Sequence, residues 1–217
     1  FALSGLSFGL GFFLVQLGKT SLLLLLVTTA VICILLGMGM PTVGVYLLLA
    51  TLAAPPLIEL GVMPMSAHLF VLYFGMMSMI TPPVAIAAFV AANMAGGHPM
   101  RTGFEAVRVA WPAYLVPFIF ALSPGLLLAG GWAENIIAAL SATCGVYLAT
   151  IAVVGFLMRS IGTATRLAFA ASGLALLLPA VAFEGAAIVN VVGLSIGLIL
   201  LFIERLAMRS RPPEEPT

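Results

Sequence analysis

Between Lys19 and Glu59, and again between Glu59 and Arg101, the chain carries no Asp, Glu, Lys or Arg. Runs that long and apolar belong in the hydrocarbon of a bilayer, where water cannot satisfy backbone groups and a continuous helix is the natural solution. Each run nevertheless contains a multi-residue helix breaker. The first is Gly37-Met38-Gly39-Met40-Pro41-Thr42 and the second is Ser78-Met79-Ile80-Thr81-Pro82-Pro83. A break at membrane depth frees carbonyls and amides, and is tolerated only where protein or a polar cavity takes them up. Secondary transporters build ion and substrate sites in this way. A lone proline in a span is most simply a kink, because neighbouring helices re-satisfy the freed groups. Two multi-residue breaks in consecutive segments, each with a threonine, point instead to a binding site.

Hydrophobic residues make up 63% of the chain and charged residues 7%, with a mean hydropathy of +1.27. No soluble core needs that balance, since an average globular domain is nearer a quarter charged. Barrel strands would show short alternating segments rather than these long runs. The predicted class is therefore an all-α polytopic membrane protein. A net charge of +1 gives no footprint for a nucleic-acid partner. Cys33 and Cys144 lie inside apolar runs, outside any CxxC or Cys/His arrangement, so neither a disulfide nor a metal site is expected. No charged n-region with a cleavage site is visible. The start at Phe1 reads as mid-architecture, and the chain is expected to be the C-terminal fragment of a longer permease.

Along the chain, residues 1–18 are apolar and dotted with glycine, short of a full span, and Lys19 marks a boundary. A Leu/Val/Thr helix is predicted over 20–36, a second helix over 43–58 ending at Pro55-Pro56 and Glu59, and a turn at Gly61–Pro64. Helix is expected again over 66–79 and 84–95, followed by Gly96-Gly97-His98-Pro99. Arg101, Glu105 and Arg108 mark a short amphipathic approach to a span at 109–129. Three plainer segments follow, at 135–158, 167–183 and 186–203. They hold no multi-residue break, so they are expected to lie outside the site. The division predicted is a transport core over 1–130, a C-terminal transmembrane extension over 131–208 and a polar, disordered tail over 209–217.

Positive residues fall in three clusters: Arg101 with Arg108, Arg159 with Arg166, and Arg205 with Arg209 and Arg211. The intervening loops carry only Glu134 and Glu184. The positive-inside rule places all three clusters in the cytoplasm, with Glu184 on the periplasmic side. Charge leaves two topologies for the earlier segments. Either 20–58 is a re-entrant hairpin with its tip at Gly37–Thr42 and 66–95 is a broken crossing helix, or the roles are exchanged. Residues 66–95 would span about 45 Å as helix, close to one bilayer crossing with headgroups, which favours the hairpin-first arrangement.

At the first break, glycines permit positive φ and close backbone approach. Pro41 removes one donor and is preset for the helix that follows. One helix then ends in free carbonyls and the next begins with free amides. Carbonyl ends suit a hard cation such as sodium, and amide ends suit a carboxylate. Thr42 adds a hydroxyl. Thr81-Pro82-Pro83 repeats the arrangement, with Ser78 one turn earlier. An oxygen cage of this kind needs no buried acid, and none lies near either break, which argues for sodium over a proton relay. Asn93, in an Ala-rich helix, offers a polar side chain for a ligand or for a neighbouring helix. His68 and His98 are expected at interfaces. Met38, Met40, Met76, Met77 and Met79 are expected to fill irregular gaps, and Trp111, Tyr114, Trp132 and Tyr147 to form interfacial belts.

Leu36 to Tyr46 and Ile80 to Phe89 resemble signature segments of the large membrane subunit of tripartite ATP-independent periplasmic (TRAP) transporters. The Gly-Met-Gly-Met-Pro-Thr sequence is most similar to the fused permeases that join small and large subunits and work with TAXI-type binding proteins, the 4TM/12TM type. Pro99–Gly103, Arg108–Pro117 and Pro124–Leu128 are similar to the run that ends the family's core. The resemblance covers about residues 5–128; 132–204 is similar only in style to a C-terminal extension of such permeases.

What the resemblance implies is an elevator transporter with two inverted repeats, each pairing a hairpin with a broken helix, this chain holding the second repeat. It implies sodium contacts at Gly37, Gly39, Pro41, Thr42, Ser78, Thr81 and Pro83; the residue chemistry at and near the breaks adds Met40, Thr42, Thr81, Pro82 and Asn93 as expected substrate contacts. It further implies a periplasmic TAXI-type binding protein and small-subunit helices fused upstream as partners, the bacterial inner membrane as location, and sodium as coupling ion without any other cofactor. The function expected is sodium-coupled uptake of a small organic acid. The alternatives are an ion-coupled carrier of the same superfamily without a binding protein, and a membrane scaffold or intramembrane enzyme. Against the enzyme, no His-Glu-x-x-His, Gly-x-Ser-x-Gly or intramembrane Asp pair occurs.

Overall fold

The computed structural model describes residues 5–157, 161–178 and 185–209. The expectations for Arg159, Glu184 and the residues from Ser210 onward lie outside these. Eleven α-helices are described: α1 Leu6–Thr20, α2 Leu22–Gly37, α3 Thr42–Leu52, α4 Ala54–Glu59, α5 Pro64–Met77, α6 Ile86–Ala95, α7 Pro99–Val109, α8 Trp111–Leu122, α9 Trp132–Val154, α10 Thr163–Leu177 and α11 Ala186–Arg209. A 3₁₀ turn occupies Pro124–Leu127. The helices form two compact units, Phe1–Pro124 and Gly125–Thr217. Two helices, α9 and α11, are each long and apolar enough to cross a bilayer, and the bent pair α7–α8 would make a third span.

Local chemistry sets most helix ends. Ser21, extended, accepts a bond from the Leu24 amide and starts α2. The single helix expected over 43–58 is instead divided at Ala53. Pro55 and Pro56 supply no amide donors, and a proline ring clashes with the carbonyl four residues back, so a new helix begins with prolines in its first turn. The span expected over 109–129 is likewise interrupted. Pro112 cannot continue α7, the chain bends by 42° at Ala110, and α8 ends at Leu122.

In the first unit, the chain leaves and returns to one place. A Cβ on Gly18 would run into the Leu60 side chain and lie 3.0 Å from Leu25 Cδ2, so the start of α2 and the end of α4 both flank the same turn of α1. α5 packs against α2 and α3. α8 runs antiparallel to α5. Ser66, at the start of α5, donates to the Phe120 carbonyl at 3.1 Å, and Phe118 meets the rings of Phe70 and Phe74 at 5.4 and 5.5 Å. Leu25, Leu26, Leu49, Leu57, Phe70 and Val71 are fully buried and make the core.

The second unit is α9, α10 and α11, and its packing rests on small residues. A Cβ on Gly145 would lie 3.0 Å from the Gly173 carbonyl, and one on Gly173 would lie 2.7 Å from the Ala149 amide nitrogen, so the main chains of α9 and α10 touch. Ser172 ties α10 to α11 by donating to the Gly193 carbonyl at 2.5 Å. Arg166 closes the C-terminal end of α9: its guanidinium donates to the Ala152 and Val153 carbonyls at 2.9 and 3.2 Å and lies over Gly155. The segment expected over 167–183 therefore starts earlier, at Thr163, and α10 ends at Leu177. At the other end of α9, the Glu134 carboxylate accepts from the Gly131 amide, while Asn135 both donates to and accepts from the Gly130 backbone.

Candidate functional site: two helix breaks in contact

The first break is a tight turn. The Met40 amide reaches back to the Gly37 carbonyl at 3.4 Å, Met38 has φ −63° and ψ 124°, and Gly39 has φ +79°. Those angles are type II, whose third residue needs positive φ and so favours glycine. Pro41 is extended at φ −63°, ψ 147° and precedes α3, whose first bond runs from the Val45 amide to the Pro41 carbonyl at 3.0 Å. The amides of Thr42, Val43 and Gly44 precede that bond, and no side chain caps them.

The second break spans Ser78 to Ala85 and is bound to itself. The Met77 carbonyl accepts three donors: the Ile80 and Thr81 amides, both at 3.1 Å, and the Thr81 hydroxyl at 2.6 Å. Met79, Thr81 and Ala85 carbonyls accept from Ala87, Ala85 and Phe89, carrying the chain into α6. Pro82–Pro83 is a cis peptide, and Ala85, fully buried, has φ +34°. A non-glycine residue in that region is uncommon and is held there by its surroundings. Here α7 supplies them. A Cβ on Gly103 would lie 3.0 Å from Pro82 Cγ and 3.6 Å from Ala85 Cβ, so a glycine there lets α7 lie close behind the break.

The two breaks meet at Gly37. A Cβ there would lie 2.6 Å from the Gly75 carbonyl oxygen and 2.9 Å from Ser78 Oγ, so the end of α2 and the last turn of α5 are in main-chain contact. Gly75 is closed on another side by α3, where a Cβ would meet Val45 Cγ1 at 2.5 Å and Leu49 Cδ1 at 2.9 Å. Two glycines thus allow three helix segments to converge.

Of the residues singled out in the sequence, Gly37 and Ser78 are brought together here, while Thr81 is bonded to Met77 and Tyr114 in the second break. Ser78 is buried and donates to the Gly75 carbonyl at 2.6 Å. Both hydroxyls therefore turn their hydrogens back into α5. Gly39, Pro41 and Thr42 sit exposed beside Gly37 on the turn, Met40 and Pro82 are half-buried, and Pro83 is exposed. Asn93 is exposed in the last turns of α6, about 10 Å along the helix from Ile86. His68 bonds the Tyr46 hydroxyl through Nδ1 at 3.2 Å, joining α5 to α3. Tyr114, expected in an interfacial belt, places its hydroxyl 2.7 Å from Thr81 Oγ1. It sits one turn into α8, and its distance of 33 residues from Thr81 left no pattern by which the sequence could pair them.

Residues 1–136 match the family model of the DctM component of the tripartite ATP-independent periplasmic transporter. No curated protein and no solved structure matches the chain. The match takes in both breaks, their contact and all of the first unit. The chain thus belongs to the DctM family: it is a multi-pass inner-membrane component of a bacterial secondary transporter that works with a periplasmic binding protein and a small subunit, and it is not an enzyme.

Proposed function

We propose that this chain forms the second-repeat half of a sodium-coupled, elevator-type importer of small organic acids, with the contacting breaks as its ion site. The observation that carries the reading is the contact of Gly37 with Gly75 and Ser78, which puts two unrelated helix interruptions at one point. The hydroxyl geometry supports a cation. Ser78 and Thr81 donate to carbonyls of their own helix, so what each oxygen presents to its other neighbours is lone-pair density. Sodium ligands in this reading come from Gly37, Gly39, Pro41, Thr42, Ser78, Thr81 and Pro83, by side-chain or backbone oxygen. The uncapped amides at Thr42 and Val43, next to Met40, together with Thr81 and Pro82 on the second break, suit a substrate carboxylate. Asn93, exposed in the last turns of α6, is a further substrate contact in this reading.

The return of the chain from Leu25 to Leu60 at Gly18 supports 20–58 as the re-entrant hairpin and 66–95 as the broken crossing helix. We assign residues 1–130 to the transport core and 131–208 to an extension, within a permease fused to its small-subunit helices and served by a TAXI-type binding protein. The test is uptake of candidate acids into proteoliposomes against sodium concentration, with and without the binding protein. Thr42→Val, Thr81→Val and Ser78→Ala are expected to raise the half-saturating sodium concentration, about tenfold for each 1.4 kcal/mol of binding lost. Ser141 and Thr143, which bond only within α9, serve as controls. Site variants that keep the wild-type sodium curve would overturn the reading.

A further inference from the structure

We infer that Tyr114 is a positioning residue for the cation site, acting through the Thr81 hydroxyl; the inference rests on the reading above. Thr81 Oγ1 lies 2.6 Å from the Met77 carbonyl and 2.7 Å from the Tyr114 hydroxyl. A carbonyl can only accept, so the one hydroxyl hydrogen of Thr81 is committed to Met77. The donor in the second bond is then Tyr114. The hydrogens run in a single sense, from the Tyr114 hydroxyl to Thr81 Oγ1 and from Thr81 to the Met77 carbonyl.

This order fixes the Thr81 oxygen at two points and leaves it one uncommitted lone pair in a set direction. A threonine tied only to the carbonyl at the end of the preceding helix can still turn about χ1 between staggered wells. Tyr114 removes that freedom from outside the broken helix. Its own place is secured further along α8, where Phe118 packs edge-on against Phe70 and Phe74, and Phe120 against Tyr73 at 5.9 Å, while Ser66 bonds the Phe120 carbonyl. The tyrosine therefore brings the rigidity of the α5–α8 contact to a hydroxyl in the break. A ligand oxygen ordered before the ion arrives costs less to engage than one that must be ordered on binding.

The experiment compares Tyr114→Phe, Thr81→Val and the double variant in the assembled transporter. Two readouts are taken: uptake against sodium concentration at saturating substrate, and the rise in unfolding temperature that sodium produces in detergent. Tyr114→Phe keeps the ring and is expected to raise half-saturating sodium about three- to tenfold with the maximal rate preserved. Its sodium-induced rise in Tm should shrink accordingly. Because Tyr114 acts through Thr81, the double variant should match Thr81→Val alone. A Tyr114→Phe protein with the wild-type sodium curve overturns the inference, including the case where only its sodium-free Tm falls. So do effects of the two single variants that simply add. If Thr81→Val itself leaves the sodium curve unmoved, the cation reading fails first and takes the positioning role with it.

Discussion

In the first unit, Gly37 and Gly75 let the ends of interrupted helices touch through their main chains, whereas in the second, Gly145 and Gly173 bring two uninterrupted helices into the same kind of contact. The absent side chain is common to both. What surrounds it differs. Around Gly37 stand a type II turn, the uncapped start of α3 and the Ser78 hydroxyl, whose hydrogen goes to the Gly75 carbonyl. Around Gly173 every neighbouring amide and carbonyl is already inside a helix. On the reading proposed above, close approach of backbones does not by itself make a site. A site needs close approach together with a helix that has ended, because only an ended helix has oxygens and amides left to offer.

The most severe disruption of this contrast is expected from Gly37→Val. Its Cβ would meet a backbone carbonyl at 2.6 Å, and neither the end of α2 nor the last turn of α5 can yield cheaply. Sodium-driven uptake should be abolished, while the second unit stays folded by protease resistance of α9–α11. Retained uptake would mean that the breaks need not touch. Gly173→Val comes next. With the Ala149 nitrogen at 2.7 Å and the Gly145 oxygen at 2.8 Å, it should cost about 1–3 kcal/mol in thermal unfolding. The half-saturating sodium of the protein that still folds should not move, and a shifted curve would show that the small-residue contact also serves the ion. Gly39 gives the smallest and most discriminating effect. Nothing lies within 4 Å of a Cβ there, so φ +79° is its only demand. Gly39→Ala should cost about 1–2 kcal/mol, the price of a left-handed L-residue, and Gly39→Asn less, since Asn visits that region readily. Equal uptake by the two variants would indicate that the turn changes conformation in use.

The breaks were legible because glycine and proline act on the two or three residues around them, and the sequence holds that chemistry in full. Gly37 to Thr42 and Ser78 to Pro83 end helices where the residue types require it. The same locality exposes where the segment boundaries were misjudged: Pro55-Pro56 and Pro112 carried the divisions at Ala53 and Ala110, but their apolar surroundings read as continuous spans. Relations between segments were beyond reach. Tyr114 looks like any aromatic near a span end until α8 lies antiparallel on α5, and Arg166 looks like a topological charge until α10 returns beneath Ala152 and Val153. Which glycine of Gly37 and Gly39 needs room and which needs φ is also invisible in a string, because both rank alike as helix breakers.

The Met77 carbonyl, with its three donors, has a mechanical consequence. Unwinding α5 by one more residue would strip the Ile80, Thr81-amide and Thr81-hydroxyl bonds together. A segment knotted in that way is a stiff fitting and a poor hinge. On the elevator reading proposed above, the break would move intact, and flexure would fall on joints such as the 42° elbow at Ala110, between α7 and α8.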